Sequence, residues 1–205
     1  MPAGEGGNLM SLHRHLRELG AAPRSIAVES YFLVEGSSRT ELQARLEFHD
    51  EPYRLLWYPD ISATLEKHAP VLFQVAPDGN LDAWLGAHLD ELSFSVIHSP
   101  LDHDGLCRQL RRFSKHQDES GRYFLRLGDP VSLHLYVASL ARAPDKVARF
   151  FADGGIESLY FHAPAHGLSR QVQPLFEQAP GHAMRDGCLA WLPIAPKENA
   201  PCSST

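Results

Sequence analysis

The sequence predicts an α/β fold: a mixed sheet of about five to seven strands covered by helices and followed by a short irregular C-terminal extension. Three observations predict it. Apolar runs rich in β-branched and aromatic residues recur between residues 26 and 162, and stretches with apolar residues at helical spacing separate them. The composition is that of a globular chain, with 205 residues, 43% hydrophobic and 21% charged, which excludes a disordered, collagenous or low-complexity protein. Strands alternating with helices bury both kinds of element when the helices cover the sheet. The expected segments are 1–25, containing a helix, 26–162, the α/β domain, and 163–205, a Pro-rich extension and tail.

Each element has its own signal. Asn8 is a candidate N-cap for a helix whose apolar face is Leu9, Leu12, Leu16 and Leu19, and Gly20 ends it. Residues 26–34 follow, and Tyr31-Phe32-Leu33-Val34 reads as a strand buried on both faces. Residues 39–48 form a short helix through Leu42 and Leu46. Residues 53–58 form a strand between Pro52 and Pro59, and residues 61–68 a helical turn or two. Val71-Leu72-Phe73-Gln74-Val75 is a strand that ends at Pro77-Asp78-Gly79-Asn80. Leu81, Trp84, Leu85, His88, Leu89 and Leu92 then fall at helical spacing.

Phe94 and Val96 alternate with serines as a half-buried strand, and Ser99 and Pro100 supply an N-cap and first-turn proline for a helix through Leu106, Leu110 and Phe113. Residues 115–122 read as a polar linker and 123–127 as a strand. Asp129-Pro130 opens a helix lined by Leu133, Val137 and Leu140, and Pro144 opens another with Val147, Phe150 and Phe151 inward. Residues 158–162 are a further strand. Beyond Ala163, Pro164, Pro174, Pro180, Pro193, Pro196 and Pro201 interrupt regular structure, although residues 188–194 can form one apolar strand and 197–205 read as a tail.

Charge and cysteine usage narrow the function classes. Nineteen Lys plus Arg against 25 Asp plus Glu leave a formal charge of -6, a field that repels phosphate backbones, so no nucleic-acid partner is expected. No apolar run approaches the ~20 residues that span a bilayer. The first seven residues have neither a basic nor an apolar targeting segment, so the expectation is a cytoplasmic protein with no membrane partner. Cys107, Cys188 and Cys202 have no paired spacing, which predicts reduced thiols.

Phosphate-binding, dinucleotide, zincin and nucleophile-elbow motifs are missing from the sequence, which counts against catalysis without excluding it and gives no cofactor to expect. The tightest cluster of metal-ligating types is His98, Asp102, His103 and Asp104; the plainer reading makes Asp102 and Asp104 first-turn carboxylates answering a helix dipole, with Ser99 and Asp102 as a capping arrangement. A metal-dependent or His-using hydrolase drawing on His98, His103 or His162 is the alternative. Ser169 or Cys188 paired with His162 or His166 would be its nucleophilic form, but no oxyanion-hole pattern accompanies them. Arg108, Arg111, Arg112 and Lys115 make a cationic helix end, which with Arg122 is the candidate docking patch for an acidic partner. Arg126 and Asp129, beside Pro130, are expected to fix a strand-to-helix junction. Trp57, Tyr58, Tyr160, Phe161 and Trp191 are candidate interface anchors or core residues.

Five segments occur in a telling order: Tyr31-Phe32-Leu33-Val34-Glu35-Gly36; Ala69-Pro70-Val71-Leu72-Phe73; residues 81–85 with Trp84; residues 106–113 with Leu110-Arg111-Arg112-Phe113; and Gly121-Arg122-Tyr123-Phe124-Leu125-Arg126-Leu127-Gly128-Asp129-Pro130. Together they resemble the bacterial type VI secretion effector chaperones, or adaptors, over about residues 26–162. The resemblance implies a cytoplasmic, non-enzymatic protein that binds a cognate effector toxin and helps mount it on the VgrG spike or its PAAR tip. A toxin-binding immunity protein is the other binding role open to it. The chain departs from the pattern at Glu35, commonly Asp in such proteins, at Leu127-Gly128, commonly an aromatic pair, and at Val131, commonly Arg.

Overall fold

The computed structural model describes residues 11–23, 25–37, 40–57, 62–119, 121–175, 183–192 and 194. In chain order the helices are α1 (Leu12–Glu18), α2 (Thr40–Phe48), α3 (Ala63–Glu66), α4 (Asn80–Ala87), α5 (His103–Ser114), α6 (Pro130–Ser139) and α7 (Pro144–Phe150). The strands are β1 (Glu29–Glu35), β2 (Tyr53–Leu55), β3 (Pro70–Phe73), β4 (Phe94–Ser99), β5 (Lys115–Asp118), β6 (Gly121–Phe124), β7 (Ser158–Ala163), β8 (Leu168–Pro174), β9 (Met184–Asp186) and β10 (Leu189–Leu192). The fold is α/β, as the alternating pattern predicts. Its sheet is open, has eight strands in the order β2-β3-β1-β4-β7-β8-β10-β9, and is antiparallel at every pairing rather than mixed. β5 and β6 form a separate hairpin.

The side-chain alternation of the central strands builds two cores. On β1, Tyr31 and Leu33 join the core that holds Leu106 and Leu110 of α5, Leu133 and Val137 of α6, and Val147 and Phe150 of α7. Phe32 and Val34 face the other way, onto Leu12 and Leu16 of α1, Leu42 and Leu46 of α2, and Leu81 and Leu85 of α4. The four-residue run read as buried on both faces is thus the centre of a three-layer sandwich. Trp57, Tyr160, Phe161 and Trp191 all lie in these cores, and Tyr58 is outside the described residues.

Helix ends follow local chemistry. Asn8 lies outside the described residues; the N-cap of α1 is Ser11, whose hydroxyl accepts from the Arg14 N–H. Gly20, at φ +69°, closes α1 with the Ala21 N–H on the Leu16 carbonyl and its own N–H on that of Arg17, a paired arrangement that satisfies two orphan carbonyls. Asp129 caps α6 by accepting from the Val131 N–H and the Ser132 hydroxyl, with Pro130 in the first turn as expected. A buried carboxylate ties α1 to α4: Asp82, 0% exposed, accepts from the His13 backbone and ring and from the Asp78 N–H. Burial would raise its pKa, yet those hydrogen bonds win and bring it down to about 2.

Three expectations are revised. α5 starts at His103 with Asp102 as its cap, not at Ser99-Pro100, because β4 runs on through His98 and Ser99. Residues 115–118 and 121–124 are strands of the hairpin rather than linker, and β6 stops at Phe124. Beyond Ala163 the chain adds β8, β9 and β10 to the sheet, with Val172, Leu189 and Trp191 in the same core as Leu33. Residues 197–205 lie outside the described residues.

Candidate functional site

Three of the five segments that carry the resemblance, residues 31–36, 69–73 and 121–130, meet at the C-terminal end of β1. The Gly36 N–H donates to the Ala69 carbonyl, and Gly128 lies so close to β1 that a Cβ there would stand 2.7 Å from the Val34 oxygen and the Glu35 nitrogen. Arg126 spans the junction, its Nε 3.6 Å from Glu35 and its Nη1 4.0 Å from Asp129. Glu35 is 7% exposed, and burial raises its pKa against the opposing pull of Arg126. Arg126 and Asp129 thus flank the junction in one long contact, with Glu35 as an additional partner of Arg126, and it is the Asp129 carboxylate that caps the start of α6.

A groove opens beside that junction, between α5, α6, α7 and the β5–β6 hairpin, with a volume of about 600 Å³. Its base is aromatic. Phe113 packs on Phe150 at 5.1 Å, Tyr136 on Phe150 at 5.7 Å, and Phe124 rests on Trp57 at 4.6 Å between ring centroids. Tyr123 stands at its edge, 47% exposed. Four cations line it, Arg112, Lys115, Lys146 and Arg149, and no carboxylate is among the described lining residues. Gln109 braces the rim: its buried amide donates to the Arg149 and Phe150 carbonyls, while its oxygen accepts from Arg112.

The candidate docking residues divide between this groove and other places. Arg112 and Lys115 line it. Arg111 is turned away, donating through Nε and Nη2 to the carbonyls of Leu56 and Leu55, so it holds α5 to the end of β2. Arg108 is exposed on α5 and is not among the groove's lining residues; the Arg122 side chain lies outside the described residues. Sequence reasoning missed Lys146, Arg149 and Tyr136. The i, i+3 spacing of Lys146 and Arg149 on α7 shows that they share a face, but only tertiary packing sets that face against α5.

The histidines named by the metal reading do not converge: His98 and His103 are held by separate backbone carbonyls. His98 is buried, with Nε2 donating to the Ala21 carbonyl and Nδ1 accepting from Ser30; burial lowers its pKa to about 4. His103 donates to the Leu72 carbonyl, Asp102 accepts from the Gly105 N–H, and Asp104 pairs with Arg54 at 3.0 Å. Among the described residues no group of three or more His, Cys, Asp or Glu is placed to hold a metal ion. Ser169 reaches His162 through the Tyr160 hydroxyl, at 3.1 and 3.3 Å, and His162 donates onward to the Leu89 carbonyl. His166 lies exposed in the short 3-10 turn before β8. Cys188 is held by its backbone, its N–H on the Ala141 carbonyl and its carbonyl accepting from Leu175.

Fold and site together define an α/β sandwich with an antiparallel sheet and a cation-rimmed aromatic groove on one helical layer. Among the described residues no helix is long and apolar enough to cross a membrane. The chain belongs to the family described as Domain of unknown function (DUF4123), whose model matches residues 30–144. That span holds β1, the junction and most of the groove, and ends at the first residue of α7. No curated protein and no solved structure matches the chain.

Proposed function

We propose that the protein is a non-catalytic cytoplasmic adaptor that binds a cognate type VI secretion effector and promotes its loading onto the VgrG spike or PAAR tip. The observation that carries this reading is the groove: an open, preformed concavity with an aromatic base and a cationic rim is built to hold another polypeptide. The family match supports it, because it covers most of the stretch in which the effector-chaperone resemblance lies. A loading factor also has to release its cargo, and a groove of this size gives a contact small enough to be exchanged.

The test is reconstitution. The protein is co-expressed with a type VI effector and the VgrG protein from the same genome, and complexes are separated by size-exclusion chromatography. The expected result is a ternary complex that does not assemble when the protein is left out. An effector that reaches the spike equally well without it would overturn the reading, as would an effector that never binds it.

A further inference from the structure

We propose that the groove recognises an acidic peptide segment bearing a large aromatic or aliphatic anchor, the anchor seated on Phe113 and Tyr136 and the flanking carboxylates on Lys146, Arg149 and Arg112. This names the partner chemistry of the site on which the adaptor reading rests. Charge is the first argument. The chain carries a formal charge of -6, yet Arg112, Lys146 and Arg149 line this one concavity with no carboxylate among the described lining residues, a local charge opposite in sign to that of the whole molecule. An acidic segment is steered toward it and a basic one repelled.

The base is the second argument. Phe113, Tyr136 and Phe150 form a mutual cluster whose upper members are only half-buried, and Tyr123 is substantially exposed beside them. Exposed ring faces gain most by covering an apolar group, and a central apolar anchor inside a charged rim is the usual anatomy of a peptide-binding hot spot. Preorganisation is the third. Gln109 fixes the Arg149 carbonyl and the Arg112 guanidinium from below, which holds two rim positions before any partner arrives. A volume of about 600 Å³ suits one or two peptide side chains and not an extended phosphodiester track, and the net charge of -6 further disfavours a polynucleotide.

The test uses the full-length protein and fluorescence anisotropy with three synthetic peptides of about a dozen residues: one rich in Asp and Glu around a central Trp, the same peptide with Trp replaced by Ser, and a Lys-rich version. A single-stranded oligothymidine of similar length is the fourth probe. The acidic Trp peptide is expected to bind, to weaken at least about tenfold in the K146E/R149E variant and in high salt, and to weaken several-fold in Y123A. Circular dichroism and urea midpoints of both variants should match the wild type, because all three side chains are exposed. Failure of the acidic Trp peptide to bind, indifference to the charge reversal, or tighter binding of the Lys-rich peptide or the oligothymidine would overturn the proposal. Ternary assembly without peptide binding removes the groove chemistry and leaves the adaptor reading standing. Peptide binding without ternary assembly does the reverse.

Discussion

His98 gives the sharpest link between the buried architecture and a bulk measurement. It sits at 0% exposure on β4, with both ring nitrogens engaged, and its pKa is lowered to about 4 from an ordinary 6.5, chiefly by burial, against the favourable hydrogen bond to the Ala21 carbonyl. Between those two values the unfolded chain binds a proton at this position and the folded protein does not. Stability therefore rises with pH through that window and falls on acidification. From about pH 7 to about pH 5 the difference in protonation removes about 2 kcal/mol, which for a chain of this size lowers Tm by roughly 4–8 °C. The carboxylates, Glu35 with its raised pKa among them, are untouched by a substitution at His98 and drop out of a comparison between wild type and variant. The perturbation is His98→Gln, which keeps a donor for Ala21 but cannot titrate. Urea unfolding at the two pH values should show a smaller acid loss for the variant by about 2 kcal/mol, whatever its offset at neutral pH. His103 and His134, whose pKa values burial also lowers, remain in both proteins and cancel in the comparison. Equal pH slopes for wild type and variant, or a His98 imidazole resonance that titrates near 6.5 by NMR, would refute the reasoning.

Three further substitutions probe the frame around the groove. Gly128→Ala places a methyl group within 2.7–2.8 Å of backbone atoms of Val34 and Glu35, which have no rotamer to yield, so it should destabilise by about 2 kcal/mol or more in urea titrations; an unchanged midpoint would mean that β1 and the junction are not in contact as described. Arg111→Ala removes two charge-assisted donors from the Leu55 and Leu56 carbonyls and should cost about 1–2 kcal/mol, whereas Arg108→Ala, on the exposed face, should stay within about 0.5 kcal/mol of wild type by the same measurement.

How far the sequence reveals this protein depends on how local each cause is. The β1 run, the Asp129-Pro130 opening of α6 and the Gly20 stop of α1 are set by residues within a turn of one another, and all three are legible. The end of β4 is not. His98 and Ser99 look like loop residues, but His98 is satisfied by Ala21 and Ser30, and Ser99 by Gly155 and the Leu101 N–H, so their polar atoms enter the core without loss. Gly187, at φ +55°, is the first residue of the two-residue β9–β10 loop Gly187-Cys188, a hairpin signal that the prolines around it obscure. The cationic end of α5 is visible in sequence, and half of it lines the groove. The other half of the rim comes from α7, some thirty residues away, and the aromatic base joins Phe113 of α5 and Phe150 of α7 to Tyr136 of α6 and Phe124 of β6, which no periodicity in one element can place together.

Residues 121–130 connect the two halves of the site. Tyr123, Phe124 and Leu125 line the groove, and three to five residues on Gly128 and Asp129 are locked against β1 and onto α6. Because α6 also supplies Tyr136 and Ser139 to the groove, a shift at the junction is expected to move the aromatic base. The junction thus acts on binding through position, and the rim through charge. The two make different predictions for salt: a loss of peptide affinity caused by Gly128→Ala should persist at all ionic strengths, whereas the loss caused by K146E/R149E should shrink as salt screens the wild-type attraction. A variant series in which both losses respond to salt alike would mean that Gly128 and the cations belong to one electrostatic surface, and that the packing account of the junction is wrong.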